Sequence, residues 1–150
     1  ATNTLLQNGM WQAVQDPKET NIAPMQKGPV PIIDFSPLKK ALDKVNDAAE
    51  RYQKDSKGRP ISADKQKALD EILFKAERTL TRSEGLPRRD WFRHQIYAPG
   101  FYTGYGVKTL PGVREAIEQR SWDEARSEIK IIADTLEQFA KEIDRAAKMY

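Results

Sequence analysis

Apolar residues recur at steps of three and four in three long stretches of the chain, and this spacing predicts amphipathic helices. The stretches cover residues 36–55, 62–81 and 121–148, with polar residues between the apolar positions. The side chains expected to face the interior are Leu38, Ala41, Leu42, Val45, Ala48, Ala49 and Tyr52 in the first helix, Ala63, Leu69, Ile72, Leu73, Ala76 and Leu80 in the second, and Trp122, Ala125, Ile129, Ile132, Ala133, Leu136, Phe139, Ala140, Ile143 and Ala147 in the third.

Residues that favour helix ends stand at the start of each stretch. Ser36 is a good N-cap, and Pro37 follows it at the first helical position, where the missing N–H costs nothing. Ser62 is expected to cap the second helix. Ser121 and Glu124 have the spacing of a capping box, in which each side chain accepts a hydrogen bond from the other residue's backbone amide.

The N-terminal part predicts weaker structure. Residues 4–15 suit a short helix with Leu5, Leu6, Met10 and Val14 inward, weakened by Gly9. Five of the nine prolines lie between Pro17 and Pro37, so residues 16–34 are expected to run extended as a surface strap. The apolar side chains expected to pin the end of this strap to the core are Val30, Ile32, Ile33 and Phe35.

The whole pattern predicts an all-α protein, a small up-and-down helical bundle. A further short helix is expected over residues 113–119, and no run alternates with period two over more than a few residues, so no substantial sheet is expected. We expect two parts: residues 1–35 as short helix and strap, and residues 36–150 as the helical domain.

The segment 85–112 stands out from the helices. Six of the chain's thirteen aromatic residues fall within residues 91–105, and four of its eight glycines follow between residues 100 and 112. Disordered linkers are poor in aromatics, and each glycine costs a regular element roughly 0.5–1 kcal/mol. The segment is therefore expected to be an ordered, tightly turned loop whose rings pack on the bundle or present themselves to a ligand.

Composition and charge exclude several classes of function. The chain has no cysteine, so disulfides, thiolate metal sites and cysteine nucleophiles are excluded. The net charge of +3 comes from interspersed charges, which argues against a nucleic-acid partner. We expect no membrane contact by this chain, since no apolar stretch is long enough for a span. The chain begins at Ala1 without an initiator methionine, and we expect it to be a fragment of a longer protein.

Few residues in the chain suit catalysis, so we expect no catalytic residue and no metal site here. The only histidine, His94, is expected to be structural and to hydrogen-bond backbone, because zinc sites normally draw on several histidine or cysteine ligands. The acidic residues are expected on solvent-facing helix positions. Five arginines (Arg78, Arg82, Arg88, Arg89 and Arg93) are expected to form a solvated, ion-paired face, with the alternative that one or two of them pair with another domain.

The run GLPRRDWFRHQIYAP (85–99), followed after a loop by Pro111–Gly112 and a helix, resembles the C-terminal dimerisation domain of the transferrin receptor and glutamate carboxypeptidase II family. The resemblance extends from about Val30 to Ala147 and includes VPIIDFSPL (30–38). It implies a non-catalytic helical dimerisation domain, a homodimer, and contact with a peptidase domain of the same protein. Zinc is expected in that missing peptidase domain, and the parent protein is expected to be a zinc exopeptidase or an inactive relative.

The resemblance also assigns a role to the loop over residues 100–109. In the glutamate carboxypeptidase II branch this loop closes over the active site, and a Lys–Tyr pair in it binds the substrate's C-terminal glutamate. The pair falls on Gly104 and Tyr105 here, so the tyrosine is retained and the lysine is replaced by glycine. Lys108 is the nearby cation that would substitute if the loop folded back. The same resemblance implies an extracellular or periplasmic location, or a membrane-anchored ectodomain.

Two other kinds of protein fit the residues alone. A stand-alone helical module could use the aromatic loop to hold a peptide or small ligand. A small enzyme in its own right fits less well, because no nucleophile, base and orienting group stand in a recognisable arrangement.

Overall fold

The computed structural model describes residues 1–19 and 21–150. Two compact units make up the chain, Ala1–Pro31 and Ile32–Tyr150. In chain order the elements are α1 (Thr2–Gln7), a 3₁₀ turn (Gln12–Val14), α2 (Ser36–Ser56), α3 (Ala63–Ala76), a second 3₁₀ turn (Glu77–Leu80), β1 (Tyr97–Pro99), β2 (Val107–Thr109), α4 (Pro111–Glu118) and α5 (Trp122–Ala147).

The N-terminal unit does not contain the single helix expected over residues 4–15. Helix α1 ends at Gln7, and Gly9 follows with a φ of +67°, a left-handed conformation that breaks the helix. Met10 and Val14 are exposed, so their predicted inward positions are wrong. Residues 21–35 contain no helix or strand, as the prolines predict, while Thr20 in the same predicted strap lies outside the described residues.

The three long helices match their predicted ranges, with different atoms at their starts. Ser36 is the first residue of α2 and not its N-cap, because the N-cap is Phe35, which makes no side-chain cap hydrogen bond. The Asp34 carboxylate accepts from the Ser36 amide at 2.8 Å and from the Ser36 hydroxyl at 2.9 Å. Ser62 caps α3 as expected, accepting from the Lys65 amide at 3.4 Å. The last predicted turn of that helix tightens into the 3₁₀ turn Glu77–Leu80.

The capping box predicted at the start of α5 does not form, because its donor is already used. Arg120 adopts a φ of +62° after α4, and the Ser121 amide donates to the carbonyl of Ala116 at 2.8 Å, closing α4 with a Schellman-type turn. In a capping box, the Glu124 side chain would have accepted a hydrogen bond from that amide. Glu124 instead binds the guanidinium of Arg88 through both carboxylate oxygens, at 2.8 and 3.0 Å.

The bundle is built around α5. Ion pairs join Lys44 to Glu137 and Arg51 to Asp144, so α2 and α5 run parallel. Lys65 at the start of α3 donates to the carbonyl of Met149, so α3 runs antiparallel to them. Two clusters of buried side chains form the core: Leu69, Ile72 and Ala146 at one end, and Val113, Ile129 and Ile132 at the other. The partly buried side chains packed around the second cluster are Ile33, Leu38, Ile96, Leu110, Ile117 and Leu136.

Several predicted core positions are nevertheless open to solvent. Ile33 packs in the second cluster, but Ile32 and Val30 are exposed, and Phe35 is partly so. Ala63, Leu42 and Leu73 are also exposed although their spacing placed them inward. The described helices include none that is both long and apolar enough to cross a membrane.

Candidate functional site

The aromatic loop forms a short β-hairpin that projects from the bundle. Strands β1 and β2 pair antiparallel, with Tyr97 opposite Thr109 and Pro99 opposite Val107. The expectation of an ordered, tightly turned loop is confirmed, although the two three-residue strands were not predicted. The Gly104 amide donates to the carbonyl of Gly100 at 2.9 Å, which closes the turn at the tip.

A buried ion pair lies beneath the hairpin. Arg89 and Glu115 are each only 3% exposed, and Arg89 Nη2 lies 2.7 Å from Glu115 Oε2. Arg89 Nη1 donates to the carbonyl of Pro99 at 2.5 Å, and Glu115 Oε1 accepts from the Phe101 amide at 2.8 Å. The rings of Phe92 and Phe101 lie 5.7 and 5.6 Å from the Arg89 guanidinium carbon, within cation–π range.

The predicted solvated arginine face is therefore only partly right. Arg82 and Arg88 are ion-paired near the surface, with Glu84 and Glu124 respectively. Arg89 contradicts the prediction, because its charge is buried and compensated by Glu115, a partner 26 residues away in the sequence. Glu115 lies one helical turn after the buried residues Pro111 and Gly112, so its side chain is on the buried face of α4, where it contacts Arg89.

A tight turn positions Arg89 from the other side. The Arg89 amide donates to the carbonyl of Leu86 at 3.1 Å, and Arg88 occupies the left-handed position of this turn with a φ of +63°. Gly85 precedes the turn at a φ of +69°, where a Cβ atom would overlap the backbone of Asp90. The GLPRR motif thus has a structural explanation, since its glycine allows the chain to fold back against itself.

His94 has the structural role expected of it. Its Nδ1 accepts from the amides of Ile96 and Tyr97 at 3.2 and 3.3 Å, and its ring lies 4.0 Å from the ring of Tyr97. Burial lowers the pKa of His94, and the attraction of Glu77, 3.7 Å from Nε2, opposes that effect without overcoming it. The neutral imidazole thereby holds the start of β1.

Two buried polar residues near the hairpin were missed by the sequence analysis. Gln95 is almost fully buried and donates to the carbonyl of Arg93 at 2.9 Å. Glu128 is buried on α5, and burial, with the charge of Glu124, raises the pKa of its carboxyl. The signal for Glu128 was available, because it lies three residues after Ala125 and four before Ile132, on the apolar face of the helix.

The tip of the hairpin is bare, in contrast to its base. Tyr105 is fully exposed, and Tyr102 and Val107 are largely exposed. Gly104 adopts a φ of +54° with no atom near the position of a Cβ. The alternative of a Tyr105 ring folded back on the bundle is therefore wrong. Lys108 is engaged: its ammonium lies 2.6 Å from Glu118 and 3.9 Å from Glu115.

The described residues bring together no metal-ligand set. Within residues 1–19 and 21–150, no group of three or more histidine, cysteine, aspartate or glutamate side chains is placed to hold a metal ion. Gly104 and Tyr105 are neighbours at the tip, where the Tyr105 side chain is fully exposed. The arrangement suits contact with a ligand or another domain.

Comparison with known proteins gives a consistent family. The transferrin receptor-like dimerisation domain family matches residues 33–144. A probable glutamate carboxypeptidase LAMP1 from Arabidopsis thaliana is 35% identical over 104 residues, 65% of this chain and 15% of that protein. A probable glutamate carboxypeptidase from Arthroderma benhamiae is 33% identical over 91 residues, 59% of this chain and 12% of that protein. The chain thus spans only a small part of the length of these relatives.

Proposed function

Since the chain belongs to the transferrin receptor-like dimerisation domain family, we propose that it is the non-catalytic dimerisation and substrate-loop domain of a glutamate carboxypeptidase-like zinc exopeptidase, or of an inactive relative. The observation that carries the proposal is the hairpin, whose bare aromatic tip lies within the family-matched segment. Exposed rings on a buried base suit a loop that meets a ligand. The stand-alone module is less favoured, because in the relatives the matched segment is a small part of a longer protein.

In this proposal the Tyr105 side chain contacts the substrate, and glycine at position 104 leaves the pocket without a positive charge. The Tyr105 hydroxyl is a neutral donor, and glycine supplies no charge. Lys108 does not replace the missing cation, because its ammonium is bound to Glu118 beside the buried Glu115. Hydrogen bonds to charged groups are worth roughly 1.5–3 kcal/mol, so a pocket without a cation loses that much for glutamate. The parent enzyme therefore accepts neutral or apolar C-terminal residues.

The test is to assay the full-length parent with dipeptides that differ only in their C-terminal residue. We expect no strong preference for glutamate in the natural protein, and an increase in that preference of about tenfold or more in Gly104→Lys. Tyr102→Phe is the matched control for Tyr105→Phe, because Tyr102 is another exposed tyrosine of the same hairpin. A roughly hundredfold preference for glutamate (about 2.7 kcal/mol) that survives Tyr105→Phe would overturn both residue assignments. If the preference exists and collapses in Lys108→Ala, Lys108 carries the charge instead.

Dimerisation is proposed to use exposed apolar surface of the helical unit. Phe74 on α3 is 75% exposed, and the Arg78 guanidinium lies 5.5 Å from its ring. Interfaces are enriched in aromatic residues and arginine, and homo-oligomers most often form two-fold, self-complementary contacts. We expect reversible dimers of the chain at high concentration.

Sedimentation equilibrium tests this part of the proposal. Phe74→Ser should weaken the dimer, whereas Ile22→Ser should not, because Ile22 is even more exposed than Phe74 but lies outside the family-matched residues 33–144. A strictly monomeric chain at millimolar concentration, together with a monomeric parent, would contradict the proposed dimer.

Zinc in this proposal belongs to the peptidase domain of the parent. The single histidine and the lack of cysteine leave this chain with a donor set poorly suited to zinc. Metal analysis of the full-length parent should find tightly held zinc, and the isolated chain should hold none after dialysis against a chelator. Stoichiometric zinc retained by the chain itself would contradict the assignment.

A further inference from the structure

One carboxylate connects three separate segments beneath the hairpin. Glu115 Oε1 accepts from the Phe101 amide at 2.8 Å, where the chain leaves β1, and Glu115 Oε2 binds Arg89 at 2.7 Å. Lys108, on β2, places its ammonium 3.9 Å from Oε1 of the same carboxylate. Both strands of the hairpin and the turn before it therefore meet at Glu115.

Arg89 holds the same segment from the opposite side. Its Nη1 donates to the Pro99 carbonyl, two residues before the amide that Glu115 accepts. Gly100, the one residue between these two contacts, is buried and closely surrounded, since a Cβ there would lie 2.6 Å from Thr103 Oγ1. Pro99 to Phe101 is thus clamped by a guanidinium on one side and a carboxylate on the other.

Stability alone is a weak reason for a buried ion pair at this place. Removing two charges from water is costly, and well-packed apolar side chains of similar volume often stabilise a protein as well or better. A pair of apolar residues would not bind the Pro99 carbonyl or the Phe101 amide. The hydrogen bonds to the loop backbone are what the charged pair adds.

We infer that Arg89 and Glu115 are positioning residues, which fix the direction in which the hairpin tip leaves the domain and so present Tyr105 to its ligand. The ligand-facing role of the tip rests on the proposed function. The positioning itself is a property of this chain, and the experiment below measures it without substrate. The positioning role can therefore be wrong while the proposed function is right, and the proposed function can be wrong while the positioning role is right.

The test is amide hydrogen exchange by NMR on the ¹⁵N-labelled 150-residue chain, with Glu115→Gln as the main variant. Glutamine carries one side-chain oxygen, so it can accept from Phe101 or from Arg89 but not fully from both. We expect exchange at the Phe101 amide to accelerate about ten- to a hundredfold relative to the core amide of Ile132, because a hydrogen bond to a charged acceptor is lost from the local opening equilibrium. The heteronuclear NOE of Tyr105 should fall at the same time.

If Arg89 and Glu115 only stabilised the fold, Glu115→Gln would change the exchange rates of all amides by a similar factor. The ratio of Phe101 to Ile132 exchange would then stay constant, and that result would overturn the inference. Glu124→Gln is the matched control: it breaks the neighbouring Arg88–Glu124 pair, which also uses both carboxylate oxygens but does not touch the loop backbone. It should leave the ratio unchanged.

If Glu115→Gln does not fold, the unmodified chain still decides the question. The Phe101 amide should exchange at least about tenfold more slowly than that of Tyr102, the next residue, for which no acceptor is found among the described residues. Equal exchange at the two amides would mean that Glu115 does not hold the loop, and would overturn the inference.

Discussion

The base and the tip of the hairpin differ in burial and in hydrogen bonding. At the base, Arg89 and Glu115 are buried, and the Pro99 carbonyl and Phe101 amide are hydrogen-bonded to them. A few residues further on, Tyr105 is fully exposed and Gly104 has no side chain and no close neighbour. Hydrogen bonds and the buried ion pair lie at the base of the hairpin, whereas apolar surface is exposed at its tip.

Under the proposed function, this difference separates two tasks of the loop. The base sets the geometry, since its contacts are to backbone atoms and do not depend on which residues occupy the tip. The tip supplies the side chains for contact, because its rings are exposed and can pack against another surface. Exposed apolar patches, unlike single exposed residues, mark contact sites, and the tip exposes Tyr102, Tyr105 and Val107 within six residues.

The largest expected effect comes from breaking the buried pair at the base. Arg89→Met leaves the Glu115 carboxylate buried without its partner and should lower the free energy of unfolding by about 3–5 kcal/mol, measured by urea denaturation. Arg51→Met is the matched control, because Arg51 binds Asp144 in a similar two-bond geometry at the surface, where solvent screens the pair, and its loss of stability should be much smaller. Similar losses in the two variants would mean that burial of the pair at the base does not matter.

The left-handed glycines at the base and at the tip, Gly85 and Gly104, should respond very differently to alanine. Gly85→Ala at the base combines an unfavourable φ with overlap of the Asp90 backbone, and should destabilise the chain by about 3 kcal/mol or more. Gly104→Ala at the tip meets open space and should cost only about 1 kcal/mol for its φ of +54°. Thermal unfolding of both variants checks this, and a Gly104→Ala loss as large as that of Gly85→Ala would show that the tip is packed in solution.

Acid should loosen the base through His94. Because burial lowers its pKa, the folded chain favours the neutral ring, so its contribution to stability is complete above the ordinary value of 6.5 and is lost as the pH falls from there towards the lowered folded value. Protonation removes the acceptor of the Ile96 and Tyr97 amides, and a loss of about 1 kcal/mol is expected, the worth of an ordinary hydrogen bond. The change in unfolding free energy from pH 7 to 5.5 should be smaller in His94→Gln; an identical change would assign the titration to another group, such as Glu128.

The smallest effect is expected at the tip itself. Tyr105→Ala should change the unfolding free energy by no more than about 0.5 kcal/mol, since the ring is fully exposed. Phe101→Ala provides the comparison at the junction with the base, where the ring lies within cation–π range of Arg88 and Arg89, and should cost about 1 kcal/mol or more. A larger loss for Tyr105→Ala than for Phe101→Ala would reverse the assignment of base and tip.

The sequence predicts the helices well, because each long helix repeats its apolar spacing over several turns. The observed ranges Ser36–Ser56 and Trp122–Ala147 lie close to the predicted 36–55 and 121–148. The hairpin was missed because three-residue strands are too short to show an alternating pattern. The exposed tip is one of the two arrangements that the sequence left open for the rings of this loop.

The base of the site was missed for a different reason. Acidic residues on helices were expected to face solvent, which is the usual case, and Glu115 and Glu128 are exceptions. Arg89 and Glu115 belong to different elements, and the approach of such distant residues depends on tertiary packing rather than on any local spacing. The capping box failed similarly, because Arg88 and the end of α4 both compete for its atoms.

The bare tip has a consequence for how this loop can change over evolutionary time. Substitutions between Tyr102 and Gly106 meet few neighbours, so most of them cost the fold little, and selection can explore new side chains there without first acquiring stabilising mutations elsewhere. Changes at Arg89 or Glu115 have no such freedom. Ligand preference in this lineage is therefore expected to diverge through drift at the tip, while the residues beneath it stay fixed.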